Sequence, residues 1–243
     1  MGTCLYKRGP KGERELVVKL RKAAGVVCLL VTVLAVSPRP VLAEALPLAL
    51  EAQLAGETAA ARSDDETRTL AVLEHFYRAR AHRPLWVLDG AAGPRARKLS
   101  DLLVAADLDG LDPRDYRAGE VRNLLDAGSV EELGRLELLL SLGLVRYAAD
   151  LGQGRTTPHV ADPTLFVFRE EVRKEDVLAA AAEAVDLDSF VDGYRPQTVR
   201  YDRQKVALAE YRALALQGGW QTIPEGETLK PGMTDTRVRL LRQ

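Results

Sequence analysis

A chain of 243 residues with 47% hydrophobic side chains has room for one or two domains with a sizeable core, and only 5% aromatics among abundant Ala and Leu favours helices packed through small and aliphatic side chains. The formal charge of −1 is unevenly spread: residues 1–43 hold eight basic and two acidic side chains, which leaves about −7 on the remainder. That acidic remainder shows no basic stripe of the kind phosphate binding requires and so argues against a nucleic-acid partner, and with Cys4 and Cys28 as its only cysteines the chain has neither a disulfide nor a thiol nucleophile after Ala43.

In chain order, Lys19, Arg21 and Lys22 precede an uncharged run from Ala23 to Val36, then Ser37-Pro38-Arg39-Pro40 and Val41-Leu42-Ala43-Glu44-Ala45. A basic flank, an apolar segment and small residues at the −3 and −1 positions predict a secretory signal peptide over 1–43, cut after Ala43 or Ala45, and hence an exported protein, periplasmic if the resemblance described below holds. The run is 14 residues long, short of the ~20 needed to span a membrane, so no stable span is expected once the signal is removed. Residues 44–63, Ala-rich without sustained periodicity, read as a linker open to disorder.

Asp64 or Asp65 is expected to cap a helix carrying Leu70, Leu73 and Tyr77 on one face. It ends near His82-Arg83-Pro84, and Leu85-Trp86 folds back on the core; burial of Trp86 is favoured over stacking on a sugar. A second helix is predicted over Pro94–Asp107. The carboxylates Asp107, Asp109, Asp112 and Asp115 invite a calcium reading, but Gly110 falls at loop position 4 instead of 6 and Ala118 stands where the bidentate Glu belongs, so a Gly-closed helix and a Pro turn are preferred. Val121, Leu124 and Leu125 mark a short third helix.

Ser129 and Glu132 form a capping box for the longest and most apolar helix, whose stripe Leu133, Leu136, Leu140, Leu144, Tyr147 and Leu151 should make it central. Its Gly152-x-Gly154 ending follows a helix and is weak evidence for a phosphate loop. Leu165-Phe166-Val167-Phe168 is the one plausible strand, more simply an apolar plug, and Val177, Ala180, Ala181 and Ala184 form a further helix. Ala207, Tyr211 and Leu214 share a face of the next helix, closed by Gly218-Gly219. Turns at Ile223-Pro224-Glu225-Gly226 and Leu229-Lys230-Pro231-Gly232 follow, and Thr234 or Asp235 caps a last short helix bearing Val238 and Leu241, too short to stand without a partner.

No catalytic, cofactor-binding or metal-ligating residue is predicted. His75, His82 and His159 have no ligand spacing, and neither His-x-x-x-His, Cys-x-x-Cys nor Gly-x-Ser-x-Gly occurs. The predicted fold is mainly α, an irregular helical bundle over 64–217 followed by a small α-helical segment at 218–243.

The order Tyr211-Arg212, Gly218-Gly219-Trp220, Ile223-Pro224, Gly226, Leu229, Pro231-Gly232, Arg237-Val238 and Leu240-Leu241-Arg242 resembles the entry into the peptidoglycan-binding-like module of large periplasmic murein L,D-transpeptidases. Phe76-Tyr77, Pro84-Leu85-Trp86, Gly110-Leu111-Asp112-Pro113-Arg114-Asp115-Tyr116, Asp150-Leu151 with Gly154-Arg155, and Pro196 to Tyr201 are similar to that family's helical scaffold. The resemblance covers about residues 66–243. It implies a scaffold cut short inside its peptidoglycan-binding-like module, a role in peptidoglycan cross-linking or remodelling, and peptidoglycan, its stem peptides or other cell-wall enzymes as partners. The alternative is a self-sufficient murein-binding or adaptor protein. These enzymes attack with a Cys thiolate in a Ser/Thr-x-Gly-Cys signature that this chain lacks, so the resemblance supplies no catalytic residue and implies an inactive chain.

Overall fold

The structure is a computed structural model and describes residues 39–156, 158–165 and 171–242. The expected signal run and the Leu165–Phe168 strand or plug lie wholly or mostly outside the described residues. Ten α-helices are described: α1 Arg39–Ala60, α2 Asp64–Ala79, α3 Pro94–Val104, α4 Ala118–Leu124, α5 Val130–Gln153, α6 Pro158–Ala161, α7 Lys174–Glu183, α8 Leu187–Asp192, α9 Val199–Leu216 and α10 Thr236–Leu241. Among the described residues the one sheet is a two-stranded hairpin, β1 Val87–Leu88 and β2 Ala91–Ala92. The chain is mainly α and an irregular bundle, as its patterning predicts.

Helix α5 is the axis of the bundle. Ser129 caps it as predicted: its Oγ accepts from the Glu132 N–H at 3.2 Å while the Glu132 carboxylate accepts from the Ser129 N–H at 3.4 Å. From Leu133 to Leu151 nearly every residue is buried, because α2, α3, α4, α7 and the β1 hairpin pack around it. Glycines permit close approaches along it. A Cβ on Gly143 would lie 2.8 Å from Leu103 of α3, and one on Gly134 would lie 3.1 Å from the backbone of Ala49.

That second contact belongs to a correction. Residues 44–63 are not a disordered linker: all but the last three belong to α1, whose Leu46, Leu50 and Leu54 are 6%, 0% and 3% exposed within the core. Leu46, Leu50 and Leu54 recur every four residues, a helical stripe that Ala and Glu dilute. Beyond that stripe, Glu57 fixes the helix by ion pairs with Arg117, at 2.9 Å, and Arg135, at 3.6 Å, both of which also meet Glu120. Smaller corrections follow the same local chemistry. Ser63, not Asp64 or Asp65, caps α2, accepting from the Glu66 N–H at 3.1 Å. The second predicted helix is α-helical only to Val104; Ala105–Asp109 tightens to a 3-10 turn closed by Gly110 at φ 77°.

The hairpin was not predicted. Asp89 and Gly90 both take positive φ, 51° and 76°, the two-residue turn whose twist matches paired strands. Strands of two residues carry too little alternation to show in a sequence. The hairpin brings Leu85, Trp86 and Val87 onto α5, where a carboxylate waits. Glu137, fully buried, accepts from the Leu85 N–H at 2.5 Å, the Trp86 N–H at 2.9 Å, the Val87 N–H at 3.0 Å and the Tyr77 hydroxyl at 2.7 Å. Since Tyr77 spends its one proton on Glu137, Ser141 donates to Tyr77 across 2.6 Å and in turn accepts from the Trp86 indole N–H at 2.8 Å. Trp86 is thus buried and hydrogen-bonded, and no face of it is open to a sugar. Burial pushes the Glu137 carboxyl up from its ordinary range, and the four donors oppose that shift.

Replacing Leu50 with Ala should cost about 2–5 kcal/mol, the usual cost of a core cavity, and Glu137→Ala about 3 kcal/mol or more, since it leaves buried donors unanswered. Urea unfolding at neutral pH measures both. A Leu50→Ala loss below about 1 kcal/mol would mean that α1 is not part of the cooperative unit.

Candidate functional site

The four carboxylates whose spacing does not fit a calcium loop diverge to four different tasks. Asp112 caps the 3-10 turn Pro113–Tyr116 by accepting from the Arg114 N–H at 2.9 Å. Asp107 accepts from Arg212 of α9 at 3.3 Å, while the same guanidinium also donates to the Asp107 carbonyl at 2.6 Å. Asp115 pairs with Arg155. Among the described residues no group of three or more His, Cys, Asp and Glu side chains is placed to hold a metal ion.

Asp109 has the densest surroundings. Its side chain is only 1% exposed and gathers four donors from three parts of the chain. Arg195 forks onto it with contacts of 2.9 and 3.1 Å, Lys205 reaches it at 2.7 Å, the Tyr201 hydroxyl at 2.8 Å and the Tyr147 hydroxyl at 2.9 Å. Burial alone would raise the Asp109 carboxyl, but the hydrogen bonds from Arg195, Lys205, Tyr201 and Tyr147 outweigh it and hold the group at about 2. Tyr201 and Lys205 stand one turn apart on α9, so this carboxylate fixes where that helix leaves the body. Tyr147, read in the sequence only as part of the α5 stripe, thus brings its hydroxyl into the clamp.

Beyond the clamp α9 has no buried residue, and Leu214 and Tyr211 of its predicted face stay 42% and 57% exposed. Gly218 and Gly219 end it with positive φ, the Gly219 N–H returning to the Leu214 carbonyl at 2.9 Å. Trp220 then lies 71% exposed, its ring 5.7 Å from that of Tyr211. The Pro231-Gly232 turn forms as read, and Asp235 caps α10 by accepting from the Arg237 N–H at 2.8 Å.

A cleft opens on the body where two turns far apart in sequence meet. The Tyr116 hydroxyl donates to Asp150 at 2.7 Å, and Arg155, five residues after Asp150, turns back to Asp115. The first turn of α2 with Arg146 and Lys174 completes the wall around a cavity of about 340 Å³. It shares Asp65, Ala149, Asp150, Arg155 and Lys174 with a larger cleft of about 1250 Å³ that runs along α2 past Val72, His75 and Phe76. Burial raises the Asp150 carboxyl, with the Tyr116 hydrogen bond opposing it. Because it is buried beside an acid, the Tyr116 phenol is held far above its usual range and stays a donor at any ordinary pH. The wall sets the carboxylates of Asp65, Glu66, Asp115 and Asp150 among Arg146, Arg155 and Lys174, a surface suited to recognising charge.

Sequence reasoning found Asp150, Arg155, Asp115 and Tyr116 as turn residues and missed that they meet. It also missed Glu137, although a lone acid between Leu136 and Leu138 in the most apolar helix was a signal. As the folded-state pKa of Asp109 lies below its unfolded value near 3.8, its contribution of about 2 kcal/mol is complete above pH 4 and disappears as pH falls towards 2. Urea unfolding compared at pH 5 and pH 2 should therefore show a loss about 2 kcal/mol larger in the native chain than in Asp109→Asn, and equal losses would contradict the clamp.

Comparison with known proteins adds one match. A family model described as the Scaffold domain covers residues 71–208, more than half of the chain. No curated protein and no solved structure matches. The matched span begins within α2 and ends within α9, taking in Trp86, Glu137, Asp109, Asp150 and Arg195. On the extent of that match the chain belongs to the Scaffold domain family.

Proposed function

We propose that this chain is the scaffold portion of an exported, L,D-transpeptidase-like cell-wall protein, one that supports peptidoglycan cross-linking or remodelling without performing the transfer itself. The observation that carries the reading is the arm. A well-packed body in which two buried carboxylates are fully hydrogen-bonded holds out α9, and after it a segment whose order of residues from Tyr211 to Arg242 resembles the entry to a peptidoglycan-binding-like module. That segment keeps Trp220, Met233 and Leu241 substantially exposed. The Scaffold domain match supports the body's part of the reading, and the basic-apolar-small pattern over 1–43 supports export to the periplasm.

The chemistry agrees. L,D-transpeptidases form their acyl-enzyme on an activated Cys thiolate, and the two cysteines of this sequence, Cys4 and Cys28, fall within the expected signal. Incubated with purified peptidoglycan, the full chain should sediment with the sacculi and leave the pattern of stem-peptide cross-links unchanged. New cross-links formed by the purified chain would overturn the inactive reading, and failure to sediment would remove peptidoglycan as its partner.

A further inference from the structure

We propose that the cleft between Tyr116 and Lys174 binds the free ammonium end of a short peptide, the ammonium resting on Asp150 and the rest of the peptide lying along α2. The inference stands on the charges of the wall and is independent of the cell-wall reading.

Each cation of the smaller cavity already has an acid. Arg146 meets Glu66 at 3.0 Å, Lys174 meets Asp65 at 2.6 Å and also Thr69 at 3.0 Å, and Arg155 pairs with Asp115. Asp150 is the fourth carboxylate against three cations. Among the described residues its one hydrogen bond comes from the neutral Tyr116 phenol, and its one cationic neighbour within ion-pair distance, Nε of Arg155, stands 3.8 Å away, beyond hydrogen-bond length. The Asp150 side chain is 26% exposed, so it is largely stripped of water yet reachable from the cavity. A carboxylate in that state gains more from an arriving cation than one already paired or fully hydrated. An ammonium brings three donors to a wall rich in acceptors.

The larger cleft determines what is attached to that ammonium. It shares Asp150 with the smaller cavity and continues over Ala71, Val72, Phe76, Ala79 and Ala179, an apolar strip with His75 beside it. At about 1250 Å³ it exceeds what one amino acid fills; of its two arginines, Arg173 is paired with Asp176 at 3.3 Å and Arg68 is the one suited to a terminal carboxylate. A peptide of a few small residues with a free amino end matches both cavities in charge and length.

The test is a titration of the full chain with trialanine, N-acetyl-trialanine and free alanine, followed by amide NMR shifts around Tyr116, Asp150 and Lys174. Trialanine should bind and shift these resonances, and acetylation of its amino end or the change Asp150→Asn should each weaken it by about tenfold or more, the worth of one charge-assisted contact. Free alanine should bind more weakly than trialanine. The Tyr116 phenol can still donate to an Asn carbonyl, so Asp150→Asn is expected to fold, and the acetylated peptide probes the same contact on the unaltered chain. Equal binding of acetylated and free trialanine, equal binding of alanine and trialanine, or no shift up to about 10 mM trialanine would each overturn the proposal.

Discussion

Much of this structure depends on one carboxylate placed where local rules would put a leucine. Glu137 lies at zero exposure in the middle of the most apolar helix, and every acceptor position on it is taken by donors from outside that helix. An acid buried without a cation is costly, and one stripped of its partners would not stay charged. Three consecutive backbone N–H groups and a phenol make it tolerable, and in turn it satisfies backbone that would otherwise be orphaned where the hairpin crosses the core. The result is positional: α2, the Leu85–Val87 crossing and α5 share one hydrogen-bonded centre, so Trp86 can enter the core in only one way.

Asp109 repeats the device at the edge of the body with a different balance. There the donors include two cations, the group stays ionised far into acid, and the element being positioned is α9. Between the two nodes lies the division of labour that the functional reading needs. Helix α5 supplies Glu137 to the inner node and Tyr147 to the outer one, so the arm is referenced to the same axis as the core. Past the clamp the arm buries little, and its aromatic pair Tyr211 and Trp220 touches mainly itself. The body thus supports an arm whose Tyr211, Trp220 and Leu241 stay exposed.

What was legible in the sequence was local. The Ser129 and Glu132 capping box, the Gly110 and Gly218-Gly219 terminators and the Leu stripe of α5 each act within a few residues, and each stands where patterning put it. Helix α1 was missed because Pro47 lies inside it and because Ala and Glu blur its Leu stripe, so local rules count against a helix that tertiary burial of Leu50 secures. The polar nodes and the cleft were illegible for a different reason. Tyr116 with Asp150, Asp109 with Arg195 and Tyr77 with Glu137 are partners across long stretches of chain, and nothing in the spacing of such residues says that they meet. Turn residues that looked like mere punctuation, Asp115, Tyr116, Asp150 and Arg155, prove to be the wall of a cavity.

The central claim is that a finished, carboxylate-pinned body carries an arm that is not itself sealed into it. Hydrogen exchange of the full chain, resolved by segment, tests this most directly. The account predicts the slowest exchange in α5 and at Leu85–Val87, intermediate protection in the first turns of α9 beside Asp109, and exchange faster by orders of magnitude from Gly218 to Arg242. Protection of that last segment equal to α5 would contradict it, because a segment so protected would already be part of the core.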